Sequence, residues 1–121
     1  MGDRMGEYFI VVNLDKKEYV LIHPSKLSEW LLNEHSKVVF WLTVKNRALK
    51  HQYPTMGRWC GDRIMIIGEY DPDFPKIFER ENMKNISYKV LKDMAEYFRN
   101  YGYKDMAEYF EELAKFVPKH M

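Results

Sequence analysis

Hydrophobic and polar positions change their period along this chain. Residues 7–14, EYFIVVNL, are apolar on both sides of an extended strand: period-two geometry sends Tyr8, Ile10 and Val12 one way and Phe9 and Val11 the other. A polar DKK interrupts the run and EYVLI over 18–22 resumes it, which predicts a β-hairpin whose second strand ends at Pro24. Ser25 is then placed to cap a helix. Leu27, Trp30, Leu31 and Glu34 follow at helical spacing, so 25–34 reads as a short amphipathic helix. KVVFWLTV over 37–44 and DRIMIIGEY over 62–70 show almost no alternation, and both are read as strands buried on two faces.

Past residue 85 the period becomes helical. Ile86, Val90, Leu91, Met94, Tyr97, Phe98 and Tyr101 step by three and four, with Ser87 or Asn85 placed to cap. Here KDMAEYF occurs twice, at 92–98 and 104–110. Each helical residue turns about 100°, so an offset of twelve in one unbroken helix would rotate the second apolar face by about 120° from the first. A break at NYGY, with Gly102, resolves the conflict and predicts two helices, 86–101 and 104–117, the second stopped by Pro118. Met and aromatic stripes of this kind usually pack as core, so the repeat reads as a lengthened packing element before it reads as two equivalent binding surfaces. The sum is a single α+β domain over 1–121. Its sheet-forming part, 6–71, holds a mainly antiparallel sheet of about four strands with a short helix, and a C-terminal helical hairpin covers 85–117.

Composition narrows the function classes. The net charge is +1, which argues against a polycation that coats nucleic acid or anionic membrane. The single cysteine, Cys60, leaves no intramolecular disulfide and fits a reducing, cytoplasmic compartment. No apolar run approaches the roughly 20 residues needed to span a bilayer, and the first residues carry no signal-peptide pattern, so a soluble protein is expected. Lys and Glu abound while Gln52 is the only glutamine, a bias seen in thermophile proteins.

Candidate chemistry lies between the predicted third and fourth strands. Over 45–63 stand Lys45, Arg47, Lys50, Arg58 and Arg63 against the one acid Asp62, interleaved with His51, Tyr53 and Trp59. Cations among aromatics suit phosphate contact with base stacking; a solvated loop whose arginines pair with acids of the same fold is the plainer reading. Within GRWCGDR, Gly57 and Gly61 permit a tight turn, and Arg58 and Arg63 offer planar forks for a carboxylate or phosphate. In the structural reading Asp62 pairs with one of these arginines and bonds local backbone N–H groups, fixing the turn. Cys60 with His23, His35 and His51 unplaced shows no nucleophile signature, and no zinc-ligand spacing is present. Glu69, Asp71 and Asp73 alternate after the last strand and suit Mg²⁺ or Ca²⁺, or a solvated acidic turn.

GEYFIVVNLDKKEY and GRWCGDRIMIIGEYD together resemble a family of small proteins found mainly in archaea, to which no activity is assigned. The resemblance covers those two blocks with a gap between them, and it implies that Gly57, Arg58, Trp59, Gly61, Asp62 and Arg63 form a signature block. The family commonly carries Ala where Cys60 stands, which removes the thiol from its shared chemistry. Its middle segment is longer, and the doubled helix is not a family feature.

These features lead to an expected non-enzymatic interaction module that self-associates as a homodimer, since strands apolar on both faces of so small a chain favour cover from a partner. The expected binding residues are Arg58, Trp59, Asp62, Arg63, Lys45, Arg47 and Lys50, open to a phosphate-bearing or acidic ligand. No catalytic residue, metal or cofactor is expected. The alternatives are nucleic-acid or nucleotide-phosphate binding through 45–63 and a metal-assisted hydrolase built on Glu69, Asp71 and Asp73.

Overall fold

The computed structural model describes residues 7–25, 34–46, 48–49, 51–77 and 82–119. Among them a four-stranded sheet has the order β3-β1-β2-β4, with β1 Phe9–Asn13, β2 Glu18–Ser25, β3 Ile64–Gly68 and β4 Lys84–Asn85. The helices are α1 Glu34–Thr43, α2 Phe74–Ile77, α3 Ser87–Asn100 and α4 Lys104–Ala114. The class is α+β and the sheet is mostly antiparallel; only the short β2–β4 pairing is parallel.

The predicted hairpin is present. Leu14–Lys17 turns between β1 and β2, with Lys17 taking a positive φ of 60°. β2, however, runs through Pro24 to Ser25. Its pairing with β1 shifts register between Phe9 and Val11, and β4 meets it only at Glu18 and Tyr19, so a residue without an N–H is tolerated there. Ser25 is therefore a strand residue. The rest of the predicted 25–34 helix lies outside the described residues, apart from Glu34.

The predicted strand over 37–44 is a helix. Glu34, His35, Val38, Trp41 and Leu42 are buried while Ser36, Lys37 and Phe40 are exposed, a three-to-four step that an extended chain cannot produce. Two adjacent valines and an aromatic pair lower helix propensity only weakly, and burial of one face in the main core beside α3 overrides it. The fourth strand of the sheet is the two-residue β4, which the sequence did not reveal.

Val11, Val20 and Ile22 face the main core, together with α1, α3 and α4. Ile10, Val12, Ile67 and Met83 form a smaller cluster on the opposite face, against Phe74 and Ile77. β1 is thus covered on both sides, as its composition predicts. β3 is not: Met65 and Ile66 are exposed at 36% and 47%, because β3 is an edge strand.

The C-terminal hairpin matches its sequence prediction closely. Gly102 has φ +86°, its N–H donates to Arg99 O, and Tyr103 N–H donates to Phe98 O, which is the Schellman termination of α3. At the other end Asn85 Oδ1 accepts from both Ser87 N–H and Ser87 Oγ–H, at 2.9 and 2.6 Å. Phe98 and Phe110, equivalent positions of the two repeat copies, stack at 5.5 Å across the hairpin, and Arg99 pairs with Glu111 at 2.8 Å.

Candidate functional site

The residues around GRWCGDR fold into consecutive tight turns. Arg58 N–H donates to Thr55 O, Cys60 N–H to Gly57 O and Asp62 N–H to Trp59 O. Gly57 has φ +71°, and a Cβ there would lie 2.5 Å from the Val44 carbonyl oxygen, so glycine is required. Two backbone donors of this segment finish α1: Gly57 N–H reaches Trp41 O and Trp59 N–H reaches Leu42 O, both at 2.8 Å. A helix C-terminus leaves its last carbonyls unpaired, and the corner satisfies two of them.

The charged side chains of this corner pair with partners outside it and not with one another. They bind the β1–β2 turn. Arg58 Nε donates to both carboxylate oxygens of Glu18, at 3.0 and 3.1 Å, and its Nη2 pairs with Oε2. Trp59, fully buried, donates Nε1–H to Glu18 Oε1 at 2.8 Å. Glu18 is 4% exposed, and these donors compensate a carboxylate that would otherwise be costly to bury. Hydrogen bonds to Glu18 raise the Arg58 pKa above its already high value. Asp62 Oδ2 accepts from Lys16 Nζ and from Asn13 Nδ2, the latter at 2.9 Å. These contacts, Lys16 first, lower the Asp62 pKa. Arg63 binds Asp15 through its backbone N–H at 2.8 Å and its Nε at 2.9 Å, which lowers the Asp15 pKa, the backbone bond contributing most. The segments 13–18 and 58–63 are therefore clamped to one another.

The structure places the other expected residues as follows. Lys45 is exposed, and Arg47 and Lys50 lie outside the described residues. Tyr53 and Trp59 are 1% and 0% exposed, so the aromatics of the basic loop belong to the core and cannot stack on bases. Tyr53 accepts from Asn100 Nδ2 at 2.9 Å. Thr55 gives its N–H and its hydroxyl to Asp93 Oδ2, and its Oγ accepts the Trp41 indole N–H. The loop is a core plug. Lys16, Lys45, Arg58 and the exposed Cys60 border a depression of about 380 Å³ on its outer side.

Glu69, Asp71 and Asp73 are exposed in the turn after β3. Asp71 Oδ1 accepts from Asp73 N–H at 2.8 Å, and the Asp71 and Asp73 carbonyls start α2. Among the described residues no group of three His, Cys, Asp or Glu side chains converges so as to hold a metal ion.

A different site emerges between α1 and α3, at residues the sequence reading assigned to a strand and to a packing stripe. Phe40, Trp41, Met56, Met94, Tyr97 and Phe98 line an apolar groove of about 500 Å³, with Lys37 at its rim. Trp41, Tyr53 and Tyr97 pack edge to face at 5.5–5.9 Å and make a rigid floor. Phe40 stands 70% exposed beside it. The 35, 38, 41/42 spacing of buried positions was the available signal; a helical reading of it would have brought Phe40 and Trp41 to the same flank as Tyr97.

Compared with known proteins, the chain matches no family model, no curated protein and no solved structure. Among the described residues no helix is long and apolar enough to cross a membrane.

Proposed function

We propose that the protein is a non-enzymatic interaction module that takes an apolar segment of a partner polypeptide into the α1–α3 groove, and that it also self-associates. The observation that carries the first part is the groove itself: aromatic and methionine side chains around about 500 Å³, within the size range of sites that take compact apolar groups. Met and aromatic residues supply adaptable and rigid contact area respectively, the mixture found at binding hot spots. Lys37, exposed at the rim and in no ion pair among the described residues, selects an occupant with a carboxylate flanking its apolar anchors. The single cysteine supports an intracellular setting for such a module.

The test is a fluorescence titration with a dansyl-labelled amphipathic helical peptide bearing Leu and Phe on one face and Glu at its flank. The expected result is saturable binding that weakens about tenfold or more in Phe40→Ser, with the melting temperature unchanged because Phe40 is exposed. Equal affinity for native protein and Phe40→Ser overturns the reading.

A second reading is favoured by one observation, the depression beside Lys16, Lys45 and Arg58. It would hold a phosphate-bearing ligand. Arg58 and Lys16 are already engaged by Glu18 and Asp62, so the charge comes from Lys45, which is in no ion pair among the described residues. Chemical shifts of residues 44–46 and 57–60 that respond saturably to inorganic phosphate would support it, and shifts that stay fixed at high phosphate would remove it.

A further inference from the structure

The hydrogen-bond parity of β3 determines which of its backbone groups face outward. Leu14 N–H donates to Arg63 O and Glu69 N–H to Tyr8 O, and β1–β3 pairing is unbroken from Asn13↔Ile64 to Phe9↔Gly68. In an antiparallel ladder, bonded pairs alternate with non-bonded ones. Arg63, Met65, Ile67 and Glu69 therefore bond to β1, while Ile64, Ile66 and Gly68 turn their N–H and C=O groups to the outer edge. Among the described residues no strand lies there. The edge segment IMIIG has no charge, no proline and no bulge, three of the devices that keep an edge from pairing.

We propose that β3 of a second copy pairs antiparallel with this edge about a two-fold axis at Ile66, joining the two sheets into one; the proposal rests on the self-association part of the reading above and not on the groove. Only this register uses every outward group. Ile66 faces Ile66 of the second copy and exchanges two hydrogen bonds with it, and Ile64 faces Gly68, whose C=O already accepts from Asp71 N–H. The same register sets Met65, 36% exposed, against the buried Ile67 of the other copy. It also sets Arg63 opposite Glu69 at both ends. Arg63 keeps donors to spare beside Asp15, its side chain being 75% exposed, and Glu69 is an exposed carboxylate. The run Arg-apolar-Glu is thus complementary to its own antiparallel copy, which is what an isologous interface demands. One five-residue strand pairing gives a small interface, so the dimer is expected to be weak, with a dissociation constant of about 10–500 μM.

Sedimentation equilibrium of the full chain from low micromolar to millimolar concentration tests this. A reversible monomer–dimer equilibrium is expected. Ile66→Lys, which opposes two like charges at the axis, should raise the dissociation constant about tenfold or more. Glu69→Arg should raise it about threefold to tenfold, and adding Arg63→Glu to Glu69→Arg should restore affinity, because the charge pairs are re-formed with reversed sign. Thermal melts of each variant confirm folding; should Ile66→Lys fail to fold, the Glu69→Arg loss and its rescue decide. A strict monomer at millimolar concentration, or a dimer indifferent to Ile66→Lys and to the charge swap, overturns the proposal. Because β3 and the groove share no residue, Phe40→Ser should leave the dimer intact, so the two readings fail separately.

Discussion

The two copies of KDMAEYF are identical in sequence and differ in what they touch. In α3, the first copy places Met94 and Ala95 in the core, and Met94, Tyr97 and Phe98 also form a wall of the groove. Its Asp93 holds both donors of Thr55. In α4, the second copy buries Ala107 and Phe110 completely but leaves Tyr109 45% exposed, with its hydroxyl donating to the buried Glu34 at 2.8 Å. Asp105 is exposed in the first turn, where its charge favours the helix dipole. A heptapeptide does not carry a role; the surface that meets it assigns one. Here Trp41 and Tyr53 meet the first copy and make its aromatic stripe one wall of the groove, whereas no residue of the second copy lines that groove.

Matched substitutions sharpen that comparison. The largest effect is expected at Phe110→Ala, about 3–5 kcal/mol by denaturant unfolding, because the ring is fully buried; Phe98→Ala, at a half-buried wall, should cost clearly less. Equal losses would mean that the two copies are equivalent after all. Next come the aspartates. Asp93→Ala should cost about 1–3 kcal/mol, since it strands the N–H and hydroxyl of buried Thr55, whereas Asp105→Ala should cost less than about 1 kcal/mol. Asp93→Ala should also move the Trp41 indole resonance, because Trp41 Nε1–H donates to Thr55 Oγ.

Tyr109 of the second copy is open to titration. Desolvation, and then the hydrogen bond to Glu34, push the Tyr109 hydroxyl up to about 12. A folded-state value raised above the unfolded value of about 10 contributes stability that is complete below pH 10 and lost as pH rises through about 12. Ultraviolet titration of the folded protein should show a late-ionising tyrosine that Tyr109→Phe removes. The smallest effect concerns the corner. Asp15 and Asp62 are held below the usual carboxylate range, so their contribution is present above about pH 3.9 and is lost as pH falls through their lower folded values. Both pairs are solvent-screened, so only a modest acid-linked loss is expected, visible as loosening of the β1–β2 turn by NMR before global unfolding.

The helical hairpin was legible because its evidence is local: a change of period, a repeat whose offset forbids one straight helix, and a glycine where the break must fall. The β1–β2 hairpin was legible for the same reason. The 37–44 helix was misread because Val-Val-Phe-Trp is β-favouring and nearly uniform in polarity, so the period shows only when Glu34 and His35 count as buried positions. Tertiary packing made them so. Arg58, Asp62 and Arg63 stand together in sequence but pair apart: their partners Glu18, Lys16 and Asp15 lie 40, 46 and 48 residues away, and no local pattern announces them. Trp59 looked available for a ligand and is the most buried side chain of the corner. The groove escaped notice because it is assembled from one misassigned element, one core plug and one packing stripe.

The most direct test of the groove uses the methionines as reporters. Met56 and Met94 line it, while Met106, the counterpart of Met94 in the second copy, does not. In methyl NMR spectra of the full chain, titrated with the acid-flanked amphipathic peptide, Met56 and Met94 should shift saturably and together while Met106 stays fixed. Shifts at Met106 equal to those at Met94, or none at either, would contradict the account.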